Sequence, residues 1–230
     1  MAANSSATGT NRKNYYNVSY GKISTKMKNV PENYSEIAEA DLKAKVQNVE
    51  QVDLRSKYVN KGTGEYPYNV FFDSLTGTIQ AQEKYENDNG TNLNLTILDS
   101  DGDTSILQVK FYSKYAENLL NRLLNTDTTK EFTFFPYAIS SEAEINGTNR
   151  KFYNQGISVK TGGEKVEVKY KSDNKDLPPT EQVKVQGKTT TSRDKRLDFL
   201  YTEFVSKFTS APTTPSTNEQ SQEVVDNLPF

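Results

Sequence analysis

The sequence contains no cysteine, no histidine and no tryptophan among its 230 residues. Without cysteine, the chain cannot form disulfides, thiolate metal sites or a cysteine nucleophile. Without histidine, it lacks the usual general base of hydrolases and the commonest ligand of zinc and haem. No run of 18 apolar residues is present, so the sequence predicts no transmembrane helix. These absences exclude much of enzyme chemistry before any motif is considered.

Apolar residues are also scarce, at 33% of the chain, and many of them are aromatic: 14 are tyrosine and 11 are phenylalanine. A length of 230 residues suits one ordinary domain with extensions, or two small domains. Residues 1–10 are small and polar and have no apolar segment of the kind found in a secretory signal. The expected location is therefore the cytoplasm.

The net charge of −2 hides three segments that each carry charge of one sign. Residues 1–30 contain five cations and no acid, and residues 145–163 contain three cations and no acid. Residues 211–230 contain three acids and no cation, so the charge without this tail is +1, since −2 minus −3 is +1. Basic segments beside an acidic tail are typical of proteins that bind a polyanion.

Alternation of apolar and polar residues predicts the fold. Strands are expected at 68–80, 91–98, 104–112, 131–139 and 151–160, with a helix at 115–124 after a Ser113 N-cap. A helix between the third and fourth of five strands is the arrangement of the OB-fold barrel, although a generic α+β sandwich has the same order. The prediction is a mainly β protein built on a five-stranded OB-fold barrel.

The remaining segments complete the predicted organisation. Residues 1–13 are predicted to be disordered, because they show no periodicity. One domain is expected over 14–208, with its barrel core at about 68–170 and an amphipathic C-terminal helix at about 195–208. Residues 209–230 are predicted to form a flexible linker and an acidic C-terminal tip.

Tyrosines interleaved with cations suggest how such a barrel would be used. Proteins that bind single-stranded nucleic acid need flat rings for base stacking and cations along the backbone. The third predicted strand offers Gln108, Lys110 and Tyr112 on its outward face. The predicted single-stranded-DNA contacts are Tyr16, Lys22, Lys84, Tyr85, Lys110, Tyr112, Lys114, Arg150, Lys151, Tyr153 and Lys160.

Other functions find less support in the pattern. The acidic stretch 99–103 has the spacing of a hairpin turn and not that of a calcium-binding loop. No carboxylate spacing points to a glycosidase pair or to a metal-dependent nuclease. We therefore predict no catalytic residue, no metal and no cofactor. A secreted or virion β-domain that binds glycans through surface tyrosines stays open as the alternative, and a carboxylate-metal nuclease as a third possibility.

The last five residues are the most specific motif. A terminal phenylalanine with a free carboxylate and nearby acids makes a compact ligand for a basic pocket with an apolar floor. The ending resembles the acidic tip of bacterial single-stranded-DNA-binding proteins, and the matching residues are Asp226, Leu228, Pro229 and Phe230. This resemblance implies that the tip binds replication or recombination proteins.

The body of the chain is similar to the OB-fold single-stranded-DNA-binding proteins of tailed bacteriophages. The similarity covers roughly residues 75–205 and rests on four stretches, at 75–79, 112–116, 135–137 and 179–187. It implies a non-catalytic protein that coats and protects single strands during DNA replication, recombination and repair. The expected location is then the cytoplasm of an infected bacterium.

Overall fold

The computed structural model describes residues 2–3, 14–27, 35–36, 54–57, 68–145, 148–171, 173–185 and 187–210. The described chain is mainly β, with one large sheet that curls into a half-barrel and two helices. The tail 211–230 and all of segment 1–13 except residues 2–3 lie outside the described residues, and so do the predictions made for them.

The strands and helices are numbered here in chain order. The large sheet contains β1 (Ala2–Ala3), β2 (Asn14–Ser19), β3 (Lys22–Met27), β4 (Ser35–Glu36), β5 (Leu54–Lys57), β6 (Tyr68–Phe72), β7 (Ser74–Asn87), β8 (Gly90–Leu98), β9 (Thr104–Lys110), β10 (Glu131–Ile145), β11 (Thr148–Thr161) and β12 (Glu164–Lys165). A separate hairpin is formed by β13 (Glu181–Val185) and β14 (Lys188–Ser192). The helices are α1 (Lys114–Leu123) and α2 (Asp194–Ser210).

The central part of the chain follows the predicted order of three strands, a helix and two strands, as β7, β8, β9, α1, β10 and β11. The sheet is larger than the five strands that the sequence predicted. Across its described strands the order is β12-β11-β10-β7-β8-β9-β2-β3-β6-β5-β4, and β1 lies beside β7. The strand predicted at 68–80 is divided at Asp73 into β6 and the first part of β7, and most of the extra strands come from residues 14–57, which lie outside the five predicted strands.

The N-terminal hairpin β2–β3 borders the central meander. β2 pairs in parallel with β9, with Tyr16 beside Leu107, and β3 pairs antiparallel with β6. On the other side of the meander, β10 pairs antiparallel with β7 and continues with β11 as a long hairpin. The strand beside β9 is thus an N-terminal one, and β11 lies at the far side of β10.

The topology forces the sheet to curl. Five strand-to-strand steps lead from β7 through β8, β9, β2 and β3 to β6, a distance of about 24 Å in a flat sheet. Yet Asp73 is the only residue between β6 and β7, so the Cα atoms of Phe72 and Ser74 lie within about 7 Å of each other. The two strands meet only if the intervening sheet bends round.

Strand β7 contains the local features that permit this bend. Gly77 has φ +156°, and a Cβ there would lie 2.4 Å from the carbonyl oxygen of Leu98, so only glycine fits. The pairing of β7 with β8 also shifts register between Ile79 and Ala81, which marks a β-bulge at Gln80. A bulge sharpens the local twist and turns the strand.

Both helices contribute apolar residues to the hydrophobic core of the half-barrel. Ser113 caps α1 as predicted, because its Oγ accepts a hydrogen bond from the Ala116 amide at 3.3 Å. The apolar face of α1 is fully buried, and Leu197, Leu200 and Phe204 of α2 are 0% exposed. The prediction of a C-terminal helix is confirmed, and the helix is slightly longer than expected.

Candidate functional site

A groove of about 700 Å³ lies on the outward face of the curled sheet. Strands β2, β3, β7, β8 and β9 supply its walls and floor. Its lining residues are Asn14, Tyr15, Asn17, Thr25, Lys26, Glu83, Tyr85, Asn87, Asn94 and Gln108. Five of these ten side chains are amides and two are tyrosines, so the lining is polar and carries flat rings.

Strand alternation decides which side chains reach the groove. In β9, Leu107 and Val109 are 0% exposed and belong to the core, so Gln108 between them points to the opposite face. In β8, Leu93 and Leu95 are likewise in the core, and Asn94 lies on the groove side. The same apolar periodicity that builds the core therefore presents a polar face to the groove.

The pairing register brings four groove residues into one row across the strands. Glu83 of β7 pairs with Asn94 of β8, Asn94 with Gln108 of β9, and Gln108 with Asn17 of β2. The Gln108 Nε2 donates a hydrogen bond to the Asn94 Oδ1 at 3.1 Å. We call Asn94, Gln108 and Asn17 the amide row.

The two tyrosines lie on opposite sides of this row. Tyr85 is two residues beyond Glu83 on β7, and its ring is 43% exposed. Tyr15 is two residues before Asn17 on β2, and it is 53% exposed. From the register and ordinary strand spacing, they are roughly 20 Å apart along the sheet surface. Each ring can therefore stack on a flat ligand group of its own.

The charge of the groove is nearly balanced. Its described lining contains one cation, Lys26, and one acid, Glu83. Lys110 follows Gln108 on the same face of β9, and its Nζ donates a hydrogen bond to the Asn89 carbonyl at 2.7 Å. One cation, Lys26, thus lines the groove, and a second, Lys110, lies beside it.

Two of the predicted contact residues are buried, which corrects the sequence interpretation. Tyr16 is 4% exposed and packs edge-on against Phe72, with ring centroids 6.1 Å apart. Burial, together with the charge of Asp99, raises the pKa of Tyr16. Lys22 is 8% exposed and forms an ion pair with Asp73. Neither side chain is presented to a ligand in the groove.

Another pair of predicted residues is brought together away from the groove. The Lys84 Nζ lies 3.4 Å from the Tyr112 hydroxyl and 2.8 Å from an Asp198 carboxylate oxygen of α2. It also lies 4.2 Å from the centroid of the Phe111 ring. Lys84 faces this side because strand alternation places it opposite to its neighbour Tyr85. β9 ends at Lys110, so the expected alternation does not extend to Tyr112.

The remaining predicted contacts lie farther along the chain. Lys114 is the first residue of α1, and the Lys160 Nζ lies 5.1 Å from the centroid of the Phe135 ring. Arg150, Lys151 and Tyr153 are on β11, opposite residues 140–143 of β10, and their side chains lie outside the described part of the structure. The tip residues Asp226, Leu228, Pro229 and Phe230 also lie outside the described residues.

Two of the predicted contact residues, Tyr85 and Lys110, lie on the groove face, and the amide row was not predicted. Gln108 was expected to point outward, but nothing in the sequence pairs it with Asn94 and Asn17. The available signal was the alternation of asparagine with leucine in β8, which places amides along one face. The partner strand β2 lies about 90 residues away in the chain, so its contribution needed the tertiary structure.

Two further findings concern the described residues alone. They contain no helix long and apolar enough to cross a membrane. Nor do they contain a group of three or more Asp or Glu side chains that could hold a metal ion. Comparisons with protein-family models, with curated proteins and with solved structures found no match for this chain.

Proposed function

We propose that this protein binds single-stranded DNA without strong sequence preference, with bases held in the groove. Two half-exposed tyrosines in an open groove, Tyr15 and Tyr85, are the observation that supports the proposal most directly. Stacking on aromatic rings is the main way in which proteins hold unpaired bases regardless of sequence. No group of catalytic character is needed for this activity.

The position of the groove on the fold adds support. We propose that β7, β8, β9, β10 and β11 with α1 correspond to the five strands and the helix of an OB-fold. In that fold, oligonucleotides bind on the face of the second and third strands, next to the loops that join the first two and the last two strands. Asn94 and Gln108 lie on the corresponding strands here, and Asn87 is beside the β7–β8 turn.

Phosphate binding is assigned to cations around the groove. Lys26 is in the lining and Lys110 is next to it, whereas Glu83 would repel phosphates from the β7 side. The hairpin β10–β11 carries Arg150 and Lys151, which we propose contact the backbone of a bound strand. Contacts of this kind make the affinity depend on salt.

We further propose that the protein protects single strands in replication, recombination and repair in the cytoplasm of an infected bacterium. The sequence of the tip, Asp226 to Phe230, supports recruitment of replication proteins by the C-terminal tail. Both proposals depend on the groove being a DNA site.

A titration with labelled oligo-dT and with duplex of equal length tests the proposed function. Fluorescence anisotropy should show tight binding of oligo-dT and much weaker binding of duplex, because paired bases hide their faces from the tyrosines. Affinity for oligo-dT should also fall steeply as salt rises. Equal affinity for duplex and single strand would contradict the proposal.

A glycan-binding function is the second candidate, and the amide-rich, nearly neutral lining favours it. Asparagine and glutamine can hydrogen-bond sugar hydroxyls, and tyrosine can form a platform for a sugar ring. The same salt series separates the two candidates, because binding of a neutral glycan is insensitive to salt. If the protein binds neutral oligosaccharides on an array, with an affinity that stays constant from low to high salt, the glycan-binding function is favoured.

A further inference from the structure

We infer that the amide row of Asn94, Gln108 and Asn17 binds the polar edges of unpaired bases, between the two positions at which Tyr15 and Tyr85 stack. This inference rests on the proposed single-stranded-DNA function and adds a second kind of base contact to it. The groove then holds a strand by ring faces at its two sides and by hydrogen bonds across its middle.

The geometry places the row where a bound strand would pass. Asn94, Gln108 and Asn17 are cross-strand neighbours on β8, β9 and β2, and all three line the groove. A strand that stacks on both tyrosines must cross roughly 20 Å of sheet surface, a distance that follows from strand spacing and register. The bases between the two stacked ones lie over the amides.

The hydrogen bond within the row leaves it ready for a base edge. A primary amide has one carbonyl oxygen and one amino group. The bond from Gln108 to Asn94 uses one donor and one acceptor, so Gln108 keeps a carbonyl oxygen and Asn94 keeps an amino group. If both amides rotate by half a turn, the bond reverses, and again one carbonyl and one amino group are left. The pair therefore always offers a donor next to an acceptor.

Burial indicates that Asn94, at one end of the row, is held in position for binding. Asn94 is only 9% exposed although it lies on the groove side, and its amide is fixed by Gln108. The amino group of Asn94 is not among the described buried atoms that lack a hydrogen-bond partner, so water in the open groove can reach it until another hydrogen-bonding partner replaces that water. Base edges are such partners, since each of the four bases carries both donors and acceptors.

The acid at the end of the row determines which part of DNA faces it. Glu83 pairs with Asn94 and lines the same groove, so its carboxylate disfavours a phosphate at this position. Base edges carry no net charge and meet no such repulsion. Because the amide pair can reverse its bond, the contact accepts any base, in agreement with binding that has little sequence preference.

A thymine isostere without hydrogen-bonding groups tests the inference. Oligo-dT and an oligomer of the same length made with difluorotoluene in place of thymine have similar shape and can both stack, but only the first can hydrogen-bond. Wild-type protein should bind the isostere oligomer at least about fivefold more weakly, the effect expected when one or more neutral hydrogen bonds are lost. The ratio of the two dissociation constants is the measured quantity.

Variants of the row show whether the amides cause the difference. The double variant Asn94→Leu with Gln108→Met removes both partners of the internal bond, so no buried amide is left unpaired. Its ratio should fall close to one. If this variant does not fold, Asn17→Ala is the alternative, because Asn17 is exposed, and it should give a ratio between one and the wild-type value. Gln182→Ala, an exposed amide on β13, is the matched control and should leave the ratio unchanged.

The outcomes separate the two levels of the proposal. If neither oligomer binds, both the proposed function and this inference fail. If wild type binds both oligomers equally, or if the ratio is the same in wild type and in the variants, the DNA-binding function stands and the amide row has no part in base binding.

Discussion

Neighbouring residues in a strand point to opposite faces of the sheet, so only one residue of each adjacent pair can reach the groove. Tyr15 and Tyr16 are adjacent, yet Tyr15 is 53% exposed in the groove and Tyr16 is 4% exposed in the core. Lys84 and Tyr85 are divided in the same way between the two faces of β7. A tyrosine next to a lysine in the sequence is thus weak evidence that the two act on one ligand.

The groove tyrosines should carry part of the DNA affinity. We predict that Tyr85→Ala and Tyr15→Ala each weaken oligo-dT binding by about 1–3 kcal/mol, the usual contribution of one stacked base. Both rings are largely outside the core, so the free energy of unfolding should change little. Anisotropy titration and urea denaturation measure the two quantities.

Tyr112→Ala provides the matched control for these variants. Tyr112 is 47% exposed, as much as the groove tyrosines, but it lies against Lys84 on the other side of the sheet. Its loss should leave oligo-dT affinity nearly unchanged. If Tyr112→Ala weakened binding as much as Tyr85→Ala does, DNA would contact the side of α2 as well.

At the scale of elements, one carboxylate joins the two helices. Glu117 of α1 lies 2.8 Å from an Arg196 nitrogen and 3.0 Å from an Arg193 nitrogen, near the start of α2. All three side chains are mostly buried. Partly buried, charge-assisted hydrogen bonds contribute more than exposed ion pairs do.

We predict that Glu117→Gln lowers the free energy of unfolding by about 1–3 kcal/mol, because it leaves two guanidinium groups without their carboxylate. Glu181→Gln is the control, since the pair of Glu181 with Lys195 is largely exposed and should contribute much less to stability. Urea denaturation measures both. If both variants lost the same free energy of unfolding, the ion pairs of Glu117 would contribute no more stability than an exposed pair.

Asp73, the residue between β6 and β7, should contribute to the stability of the fold in a way that depends on pH. Burial is the largest single influence and acts to raise the pKa of Asp73, but the hydrogen bond and charge of Lys22, together with further positive charge nearby, outweigh it and hold the pKa below the ordinary value of 3.8. A carboxyl group whose folded pKa is lowered stabilises the fold above its unfolded pKa, and this stability is lost as pH falls through the folded pKa.

We therefore predict that Asp73→Asn is less stable than wild type at neutral pH and that the deficit disappears in acid. The difference in the free energy of unfolding should be constant above about pH 5 and should shrink below about pH 4. Urea denaturation across this range measures it. A deficit that stays the same down to about pH 2 would show that the Asp73 charge does not stabilise the bend.

At the scale of the whole molecule, the tail carries three acids and no cation. If it competes with DNA for the cations near the groove, deletion of residues 211–230 should raise oligo-dT affinity, most clearly at low salt. Phe230→Ala keeps all three acids, so its DNA affinity should stay near that of wild type.

The same two variants test the role of the tip in binding proteins. Both the deletion and Phe230→Ala should lose capture of replication or recombination proteins in a pull-down from host lysate, because both lack the terminal ring. Retention of the same proteins by Phe230→Ala would exclude the docking role, and unchanged DNA affinity in the deletion variant would exclude electrostatic competition.

Local sequence patterns are sufficient to predict most elements of the central fold. Alternation placed β8, β9 and the first half of β7, the Ser113 cap placed the start of α1, and helical spacing placed α2. These features depend on residues that are close together in the chain, so a linear pattern is enough to reveal them.

The way in which these elements combine into a site depends on contacts between distant parts of the chain. The parallel pairing of β2 with β9 joins segments about 90 residues apart, and it brings Tyr15 and Asn17 beside Gln108. The same pairing helps to bury Tyr16, and the pairing of β3 with β6 brings Lys22 to Asp73. Such pairing depends on long-range register and on the bend at Gly77, which no local periodicity encodes.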